Sequence, residues 1–195
     1  MRIVAGSARG RRIAAPPRGV RPTSDKVREA IFDILSSVDG LHVLDLYAGS
    51  GALGFEALSR AAASATFVDD SAACAHAIAE TAREMGFADR ARVLRMPVAR
   101  AIRSLAREPV RFDLVLVDPP YGKGLAWTTF ADLIASPILA PGATLVLETA
   151  TRDARPELVT PVSSRRYGDT TVHFLTVQPT SPTEIDHGQD RDLPR

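Results

Sequence analysis

The chain has 195 residues, of which 45% are hydrophobic, so it is long enough to bury one complete core. A single cysteine, Cys74, excludes an intramolecular disulfide, and no apolar run approaches the length of a membrane span. Because the first residues also lack the apolar core of a signal peptide, we expect a soluble protein in a reducing, cytoplasmic compartment.

Charge is distributed unevenly along the chain. Residues 1–28 carry eight basic side chains against Asp25 alone, whereas the whole chain has a net charge of only +1. A basic N-terminal segment on an acidic body is typical of an arm that binds a polyanion, although a solvated flexible tail has the same composition. The residues expected to contact phosphates are Arg9, Arg11, Arg12, Arg21, Lys26 and Arg28.

The N-terminal region is predicted to contain a hairpin and a helix. Residues 2–14 look like two short strands around a Gly-Ser turn, and a docking helix follows within residues 24–39. Thr23 or Ser24 is the expected N-cap of this helix, and Gly40 is its expected end. The apolar stripe of the helix has the spacing i, i+3, i+4, i+7, i+8 and i+11, and it consists of Val27, Ala30, Ile31, Ile34, Leu35 and Val38.

Strands and helices then alternate, which predicts an α/β fold with a mostly parallel sheet covered on both faces. The predicted strands lie at 42–46, 65–68, 92–94, 112–117 and 143–147. The predicted helices between them run to about residue 60 and lie at 71–86, 97–107 and 124–136, the last closed by Pro137 and by Pro141-Gly142.

The end of the chain changes character twice. Residues 165–177 read as a hairpin with Gly168-Asp169 at its bend, which would add an antiparallel pair and bring the sheet to seven strands. Beyond Gln178 the chain has little apolar content, and we expect disorder. The predicted organisation is therefore an arm at 1–23, a main domain at 24–177 and a tail at 178–195.

A glycine-rich loop follows the first strand of the main domain. Gly49, Gly51 and Gly54 form G-x-G-x-x-G between a strand and a helix, and Asp69 lies 20 residues beyond Gly49 at the end of the next strand. This is the fingerprint of a dinucleotide site, so a nicotinamide-dependent oxidoreductase is one interpretation. The glycines and the acid nevertheless fit any cofactor that contains adenosine.

Two further features favour another cofactor. Asp45 ends the first strand, where its charge would repel a pyrophosphate but would suit a cationic amine, such as that of S-adenosylmethionine. Asp118-Pro119-Pro120-Tyr121 follows the most apolar strand, and its carboxylate, free carbonyls and aromatic face suit a flat base that carries an amino group. Both features should meet at the switch point between the first and fourth strands.

Other chemistries find less support. The four histidines show no metal-ligand spacing with each other or with Cys74, so no metal is expected. Ser50 is not part of G-x-S-x-G, and Gly122-Lys123 is not part of a Walker loop.

The motifs together resemble the bacterial 16S ribosomal RNA guanine-N2 methyltransferase family, over roughly residues 2–177. The resemblance implies a Rossmann-like class I methyltransferase fold, S-adenosylmethionine as methyl donor, and a guanine of the position-966 type in 16S rRNA as acceptor. The segments that carry it are Arg9-Gly10-Arg11-Arg12, residues 21–30, residues 44–54, residues 56–60, Asp118-Pro119-Pro120-Tyr121 and Tyr167-Gly168-Asp169-Thr170.

The resemblance also implies roles for individual residues. Asp69 would hold the ribose, while Met96-Pro97 stands where the family often has a Gly-Asp pair that contacts the adenine. The methionine end of the cofactor and its loop would be lined by Asp45, Tyr47, Gly49, Ser50 and Gly51. The catalytic set that holds the target base would be Asp118, Pro119, Pro120 and Tyr121.

The expected partner is 16S rRNA, naked or in the assembling small subunit, and we expect the protein to act as a monomer. We expect Tyr121 to stack on a flipped-out base, while Asp118 and the Pro119 carbonyl accept hydrogen bonds from its amine. Two alternatives remain besides the oxidoreductase. An amino-methyltransferase acting on adenine in DNA or RNA would use a related base site, and an RNA-binding assembly factor would keep the fold without catalysis.

Overall fold

A computed structural model of the protein describes residues 1–14, 25–120 and 124–177. The helices in these residues are α1 (Asp25–Leu35), α2 (Ala52–Ser59), α3 (Ala72–Met85), α4 (Val98–Leu105) and α5 (Leu125–Ile134), with a short 3-10 turn at Ala88–Arg90. The strands are β1 (His42–Leu46), β2 (Ser64–Asp69), β3 (Ala91–Arg95), β4 (Phe112–Val117), β5 (Leu139–Ala150), β6 (Ser163–Tyr167) and β7 (Thr170–Thr176).

The described strands form one sheet with the order β3-β2-β1-β4-β5-β7-β6. The strands from β3 to β5 are parallel to their neighbours, and β7 is antiparallel to both β5 and β6. This arrangement confirms the predicted fold class. After β1 the chain builds outward to β3 and then returns to β4 on the other side of β1, so the carboxyl ends of β1 and β4 flank the switch point of the sheet.

Alternating strand residues divide the core between the two faces of the sheet. On one face, Val43 and Leu114 pack with α1, α2 and α3 around the Phe55 and Phe67 rings, whose centroids are 4.8 Å apart. On the other face, residues such as Leu46 pack with α4 and α5. The central strands β1, β2 and β4 are thus buried on both sides, as is usual for parallel strands between two layers of helices.

The N-terminal segment contains less regular secondary structure than predicted. Its two predicted strands reduce to a single antiparallel bridge between Arg2 and Arg12, and the Ile3 N–H donates to the Arg11 carbonyl at 3.0 Å. Ile3 and Ile13 are nevertheless buried in the main core. The segment is therefore packed onto the body of the protein.

Glu56 of α2 fastens this segment to the body. Its Oε2 accepts from the Val4 N–H at 2.8 Å, and its Oε1 accepts from the Ala5 N–H at 2.9 Å. The buried carboxylate also pairs with Arg60 at 2.9 Å and with Arg28 at 3.5 Å. Two backbone donors and two guanidinium groups therefore compensate the desolvation of one carboxylate.

Two predicted boundaries were wrong. The helix α1 ends at Leu35 and not at Gly40, because Ser36 adopts a left-handed φ of 59°. Pro141 and Gly142 do not close a helix but lie inside β5, at the irregularity where its register with β4 shifts. Proline lacks an N–H for the ladder, and such an irregularity is one of the few strand positions that tolerate it.

Some predictions concern residues outside the described ranges, namely the N-cap at Thr23 or Ser24 and the tail at 178–195. Among the described residues, none of the helices has the length and hydropathy that crossing a membrane requires.

Candidate active site

The glycine loop between β1 and α2 is shaped by left-handed backbone. Gly49 and Gly51 have φ values of 56° and 76°, and Tyr47 shares this conformation with a φ of 61°. The Gly51 N–H donates to the Ala48 carbonyl at 2.7 Å, and the helix begins with Ala52. Glycine adopts this conformation without a steric penalty, which accounts for its position at two points of the turn.

Gly54 is required for close packing and not for a left-handed backbone conformation. A Cβ atom at Gly54 would lie 2.3 Å from Cε1 of Phe67 and 3.0 Å from Oδ2 of Asp45. The Gly54 N–H donates to that same Oδ2 at 2.9 Å. The last glycine of the motif therefore brings α2 against β1 and β2 and lets the backbone hold Asp45.

Asp45 is the most deeply buried acid at this edge of the sheet, with 2% exposure. Burial raises the pKa of its carboxyl well above the ordinary value, the Gly54 hydrogen bond opposes this, and the nearby charges of Asp118 and Asp69 add to it. A cationic group bound here would favour the ionised form. The described structure thus fits a ligand that carries an amine.

Asp69 is partly exposed and holds two loops together. Its Oδ2 accepts from the Gly49 N–H at 2.8 Å, and its Oδ1 accepts from the Ser71 N–H at 2.9 Å. Ser71 in turn caps α3 by accepting from the Cys74 N–H. Because each carboxylate oxygen accepts more than one hydrogen bond, Asp69 retains capacity for ligand hydroxyl groups.

Asp118, Pro119 and Pro120 follow β4 directly, where Asp118 is partly exposed, Pro119 is buried and Pro120 is exposed. The Asp118 N–H lies 3.5 Å from the Leu46 carbonyl, so the pairing of β4 with β1 continues to this residue. The structure therefore brings Asp118 to the same edge of the sheet as Asp45. Tyr121, the last member of the predicted base site, lies outside the described residues.

Tyr47 and Ser50, the other predicted cofactor residues, occupy different environments. The Tyr47 hydroxyl lies 2.8 Å from Oγ1 of Thr129 on α5, so the ring leans towards the helix that follows the base site. Burial raises the pKa of the Tyr47 phenol, the Thr129 hydrogen bond opposes this, and the phenol can act as a hydrogen-bond donor. Ser50 is buried in the turn of the glycine loop.

The predicted phosphate contacts divide into exposed and buried residues. Arg9, Arg11, Arg12 and Lys26 are exposed, and Arg11 also donates to the Glu84 carbonyl. Arg21 lies outside the described residues.

Arg28 does not belong with the exposed arginines, and this prediction was wrong. Its side chain is fully buried, where it pairs with Asp25 at 2.9 Å and with Glu56 at 3.5 Å and donates to the Arg2 carbonyl. A phosphate cannot reach a guanidinium that has no exposed surface. Arg28 instead compensates the charge of Glu56.

Two buried acids were missed by the sequence analysis. Glu56 is the only charged residue of α2, all of whose residues are buried, and a lone charge in such a helix was the available signal. Glu148 is the only charged residue of β5, near its carboxyl end, and is 3% exposed. In the part of the chain that the structure describes, no three His, Cys, Asp or Glu side chains are arranged to hold a metal ion.

The sheet order, the glycine loop after β1 and the acids at the ends of β1, β2 and β4 define a Rossmann-like fold of the methyltransferase class. Residues 1–176 match the model of the family described as Conserved hypothetical protein 95. The chain is 37% identical over 158 residues to ribosomal RNA small subunit methyltransferase D of Escherichia coli, and the match covers 80% of this chain and 78% of that protein. The chain therefore belongs to the family of ribosomal RNA small subunit methyltransferase D, which confirms the resemblance at the level of a 16S rRNA methyltransferase.

Solved structures agree with this assignment. The structure of the Escherichia coli protein yhhF has a TM-score of 0.78 and 32% identity, with 91% of this chain and 98% of that chain covered. An RNA methyltransferase from Salinibacter ruber, solved in complex with S-adenosyl-L-homocysteine, has a TM-score of 0.65 at 18% identity and covers 85% of this chain and 99% of its own. The second comparison shows the shared fold.

Asp45→Asn is expected to change stability in a pH-dependent way. The pKa of Asp45 is raised in the folded protein, so the unfolded chain loses this proton at a lower pH than the folded protein does. Above the ordinary carboxyl pKa, Asp45 therefore lowers the free energy of unfolding. Asparagine can still accept from Gly54 but carries no charge. We expect equal stability near about pH 3, below the ordinary carboxyl range, and a more stable variant at neutral pH, measured by urea unfolding without cofactor.

Asp113→Asn is the matched control, because Asp113 accepts from the His42 N–H at the opposite, amino end of the strands. Because Asp113→Asn weakens an acceptor for a backbone N–H and relieves no burial among acids, we expect it not to stabilise the protein at neutral pH. An Asp45→Asn variant that is less stable than the wild type at neutral pH would contradict the assigned burial effect.

Proposed function

We propose that the protein transfers a methyl group from S-adenosylmethionine to the exocyclic N2 of a guanine in 16S rRNA, of the position-966 type. The observation that carries the proposal is the placement of Asp45 and Asp118 at the carboxyl ends of the adjacent strands β1 and β4. One carboxylate suits a cofactor amine, and the other suits the amine of a base. The identity to ribosomal RNA small subunit methyltransferase D supports ribosomal RNA as the substrate.

The cofactor would be held by the glycine loop and by Asp45 and Asp69, the two acids that accept hydrogen bonds from Gly54 and Gly49. Asp45 would accept from the amine at the methionine end, Asp69 would accept from the ribose hydroxyls, and the Gly49–Gly51 turn would lie along the cofactor. When bound, S-adenosylmethionine supplies a methyl group on a sulfonium, whose S–C bond breaks with its electron pair left on sulfur.

The chain's part in the reaction is to position and polarise the base. The guanine amine is a weak nucleophile because its lone pair is delocalised into the ring. Asp118 and the Pro119 carbonyl would accept hydrogen bonds from N2–H, orienting the lone pair, and Tyr121 would stack on the flipped base. The amine can lose its extra proton to water after the methyl group has bonded to nitrogen, so no obligatory base is invoked.

The oxidoreductase interpretation has less support at this site. Asp45 lies directly under the glycine loop and is hydrogen-bonded to it. A pyrophosphate placed on that loop would face a buried acid and two neighbouring acids, which is electrostatically unfavourable. The relatives ribosomal RNA small subunit methyltransferase D and the putative rRNA methyltransferase YlbH carry methyltransferase names.

The experiment that tests the function is a methyl transfer assay with labelled S-adenosylmethionine. Naked 16S rRNA and isolated small subunits, both from cells that lack the gene, serve as acceptors. We expect label in one guanosine, identified as N2-methylguanosine by digestion and mass spectrometry. Label in an adenosine would establish the adenine alternative, and cofactor binding without transfer to either acceptor would favour the non-catalytic one.

Asp118 variants should separate hydrogen-bond acceptance from proton abstraction. Asp118→Asn retains an oxygen that can accept from the amine, so we expect it to keep partial activity, whereas Asp118→Ala should lose most of it. The measurement is kcat for methyl transfer at saturating cofactor. Equal and complete loss in both variants would instead point to proton abstraction by Asp118.

Arg9 and Arg28 provide a matched pair for the proposed rRNA-binding arm. Arg9→Ala removes an exposed charge, so the slope of log Kd against log salt should fall by about 1 with stability unchanged. Arg28→Ala leaves the buried Glu56 with one partner fewer, so it should cost about 3 kcal/mol in the free energy of unfolding and leave the slope unchanged. A reduced slope for Arg28→Ala would contradict its assignment as a structural residue.

A further inference from the structure

Glu148 occupies an unusual position in β5. The strand is otherwise uncharged, and the four residues before Glu148 are Thr144, Leu145, Val146 and Leu147, of which the last three are buried. An acid with only 3% exposure at the end of such a strand carries a desolvation cost. A carboxylate at this depth is also a strong hydrogen-bond acceptor at the carboxyl edge of the sheet.

Strand register places Glu148 beside Asp118. Val117 of β4 is aligned with Leu147 of β5, so the next residue of each strand lies at the same level, about 4.8 Å apart across the sheet. Leu116 and Val146, two residues before each acid, both belong to the core on the α2 side of the sheet. By the alternation of strand side chains, Asp118 and Glu148 also lie on one face.

Four acids therefore lie on this face near the carboxyl edge of the sheet. From β2 to β5 they are Asp69, Asp45, Asp118 and Glu148, with Asp45 two residues deeper along its strand than the other three. In the proposed function the first two hold the cofactor and the third holds the amine of the base. Glu148 lies on the side of Asp118 that is away from the cofactor, where the rest of the base edge would extend.

The chemistry of the guanine edge matches two neighbouring acceptors. The N2 amine and N1–H are adjacent donors on that edge, so one carboxylate can accept from each. Adenine has an acceptor at N1 next to its amine. If N1 of adenine faced a carboxylate, neither N1 nor the carboxylate oxygen would have a hydrogen-bond donor, which is costly in a buried site. The same two acids would thus accept guanine and reject adenine.

We propose that Glu148 is the residue that selects guanine, by accepting a hydrogen bond from N1–H while Asp118 accepts from the N2 amine. The inference rests on the proposed function and adds the source of its base specificity. It assigns Glu148 a contact with the substrate base and not with the cofactor, so cofactor affinity should not depend on it.

The test compares guanine with 2-aminopurine, which keeps the N2 amine but has an acceptor at N1. The acceptor RNA is 16S rRNA ligated to carry either base at the methylated position, naked or reconstituted into small subunits, whichever the wild type modifies. We expect the wild type to prefer guanine by about tenfold or more in kcat/KM, the value of one hydrogen bond to a charged group. Methylated nucleosides are quantified by mass spectrometry.

Glu148→Gln should shift that preference, because its amide can donate to N1 of 2-aminopurine while Asp118 still accepts from the amine. The ratio of kcat/KM for guanine to that for 2-aminopurine should fall by about tenfold or reverse. Glu148→Asp keeps a carboxylate and should retain the preference for guanine at a reduced rate. Glu80→Gln, the same change on the exposed face of α3, should leave both rate and ratio unchanged.

Each outcome has a distinct meaning. An unchanged ratio in Glu148→Gln, or a wild type that methylates 2-aminopurine as readily as guanine, would overturn the role of Glu148 while leaving guanine methylation intact. The second measurement needs only the wild type, so it can overturn the role of Glu148 even if the variant does not fold. Failure of the wild type to methylate any guanine would instead overturn the proposed function.

Discussion

The register of the parallel strands at their carboxyl ends is the constraint on which the candidate site depends. Leu46 of β1 is aligned with Val68 of β2 on one side and with Val117 of β4 on the other, and all three side chains are buried. Because side chains alternate between faces, a slip of β4 by one residue would move Asp118 to the opposite face and expose its apolar neighbours. Core packing thus determines which acids meet Asp45.

The position of Asp45 lowers the stability of the protein without a ligand, and the same position suits the binding of a cationic group. Asp45 is buried beside two other acids, and these neighbours together with burial disfavour its ionised form. An uncharged residue at this position would relieve the repulsion, yet an acid is present. Natural proteins commonly carry destabilising groups at sites where a ligand supplies the missing partner. A bound cation would convert the repulsive edge into a neutralised one, so ligand binding and local stability are coupled.

Sequence periodicity predicted the order and type of the elements, because parallel strands buried on both faces and capped helices leave clear signals, such as Ser71 before α3. It could not distinguish Arg28 from Arg9, because charge is visible in a sequence and burial is not. Arg28 lies one residue beyond Val27, on the buried side of α1, and its partner Glu56 is 28 residues away. Glu148 was missed for the same reason, since only strand pairing brings it beside Asp118.

The contact between the N-terminal segment and α2 bears on how RNA and cofactor would be aligned. Besides the Glu56 contacts, the Ser7 N–H donates to the Ser59 carbonyl at 2.8 Å, and Gly6 approaches so closely that a Cβ there would lie 1.9 Å from that oxygen. The other end of α2 begins at the glycine loop. The short helix α2 therefore joins the segment with the exposed Arg9, Arg11 and Arg12 to the glycine loop. In the proposed function, phosphates held by these arginines would be positioned relative to the methyl donor through packed structure.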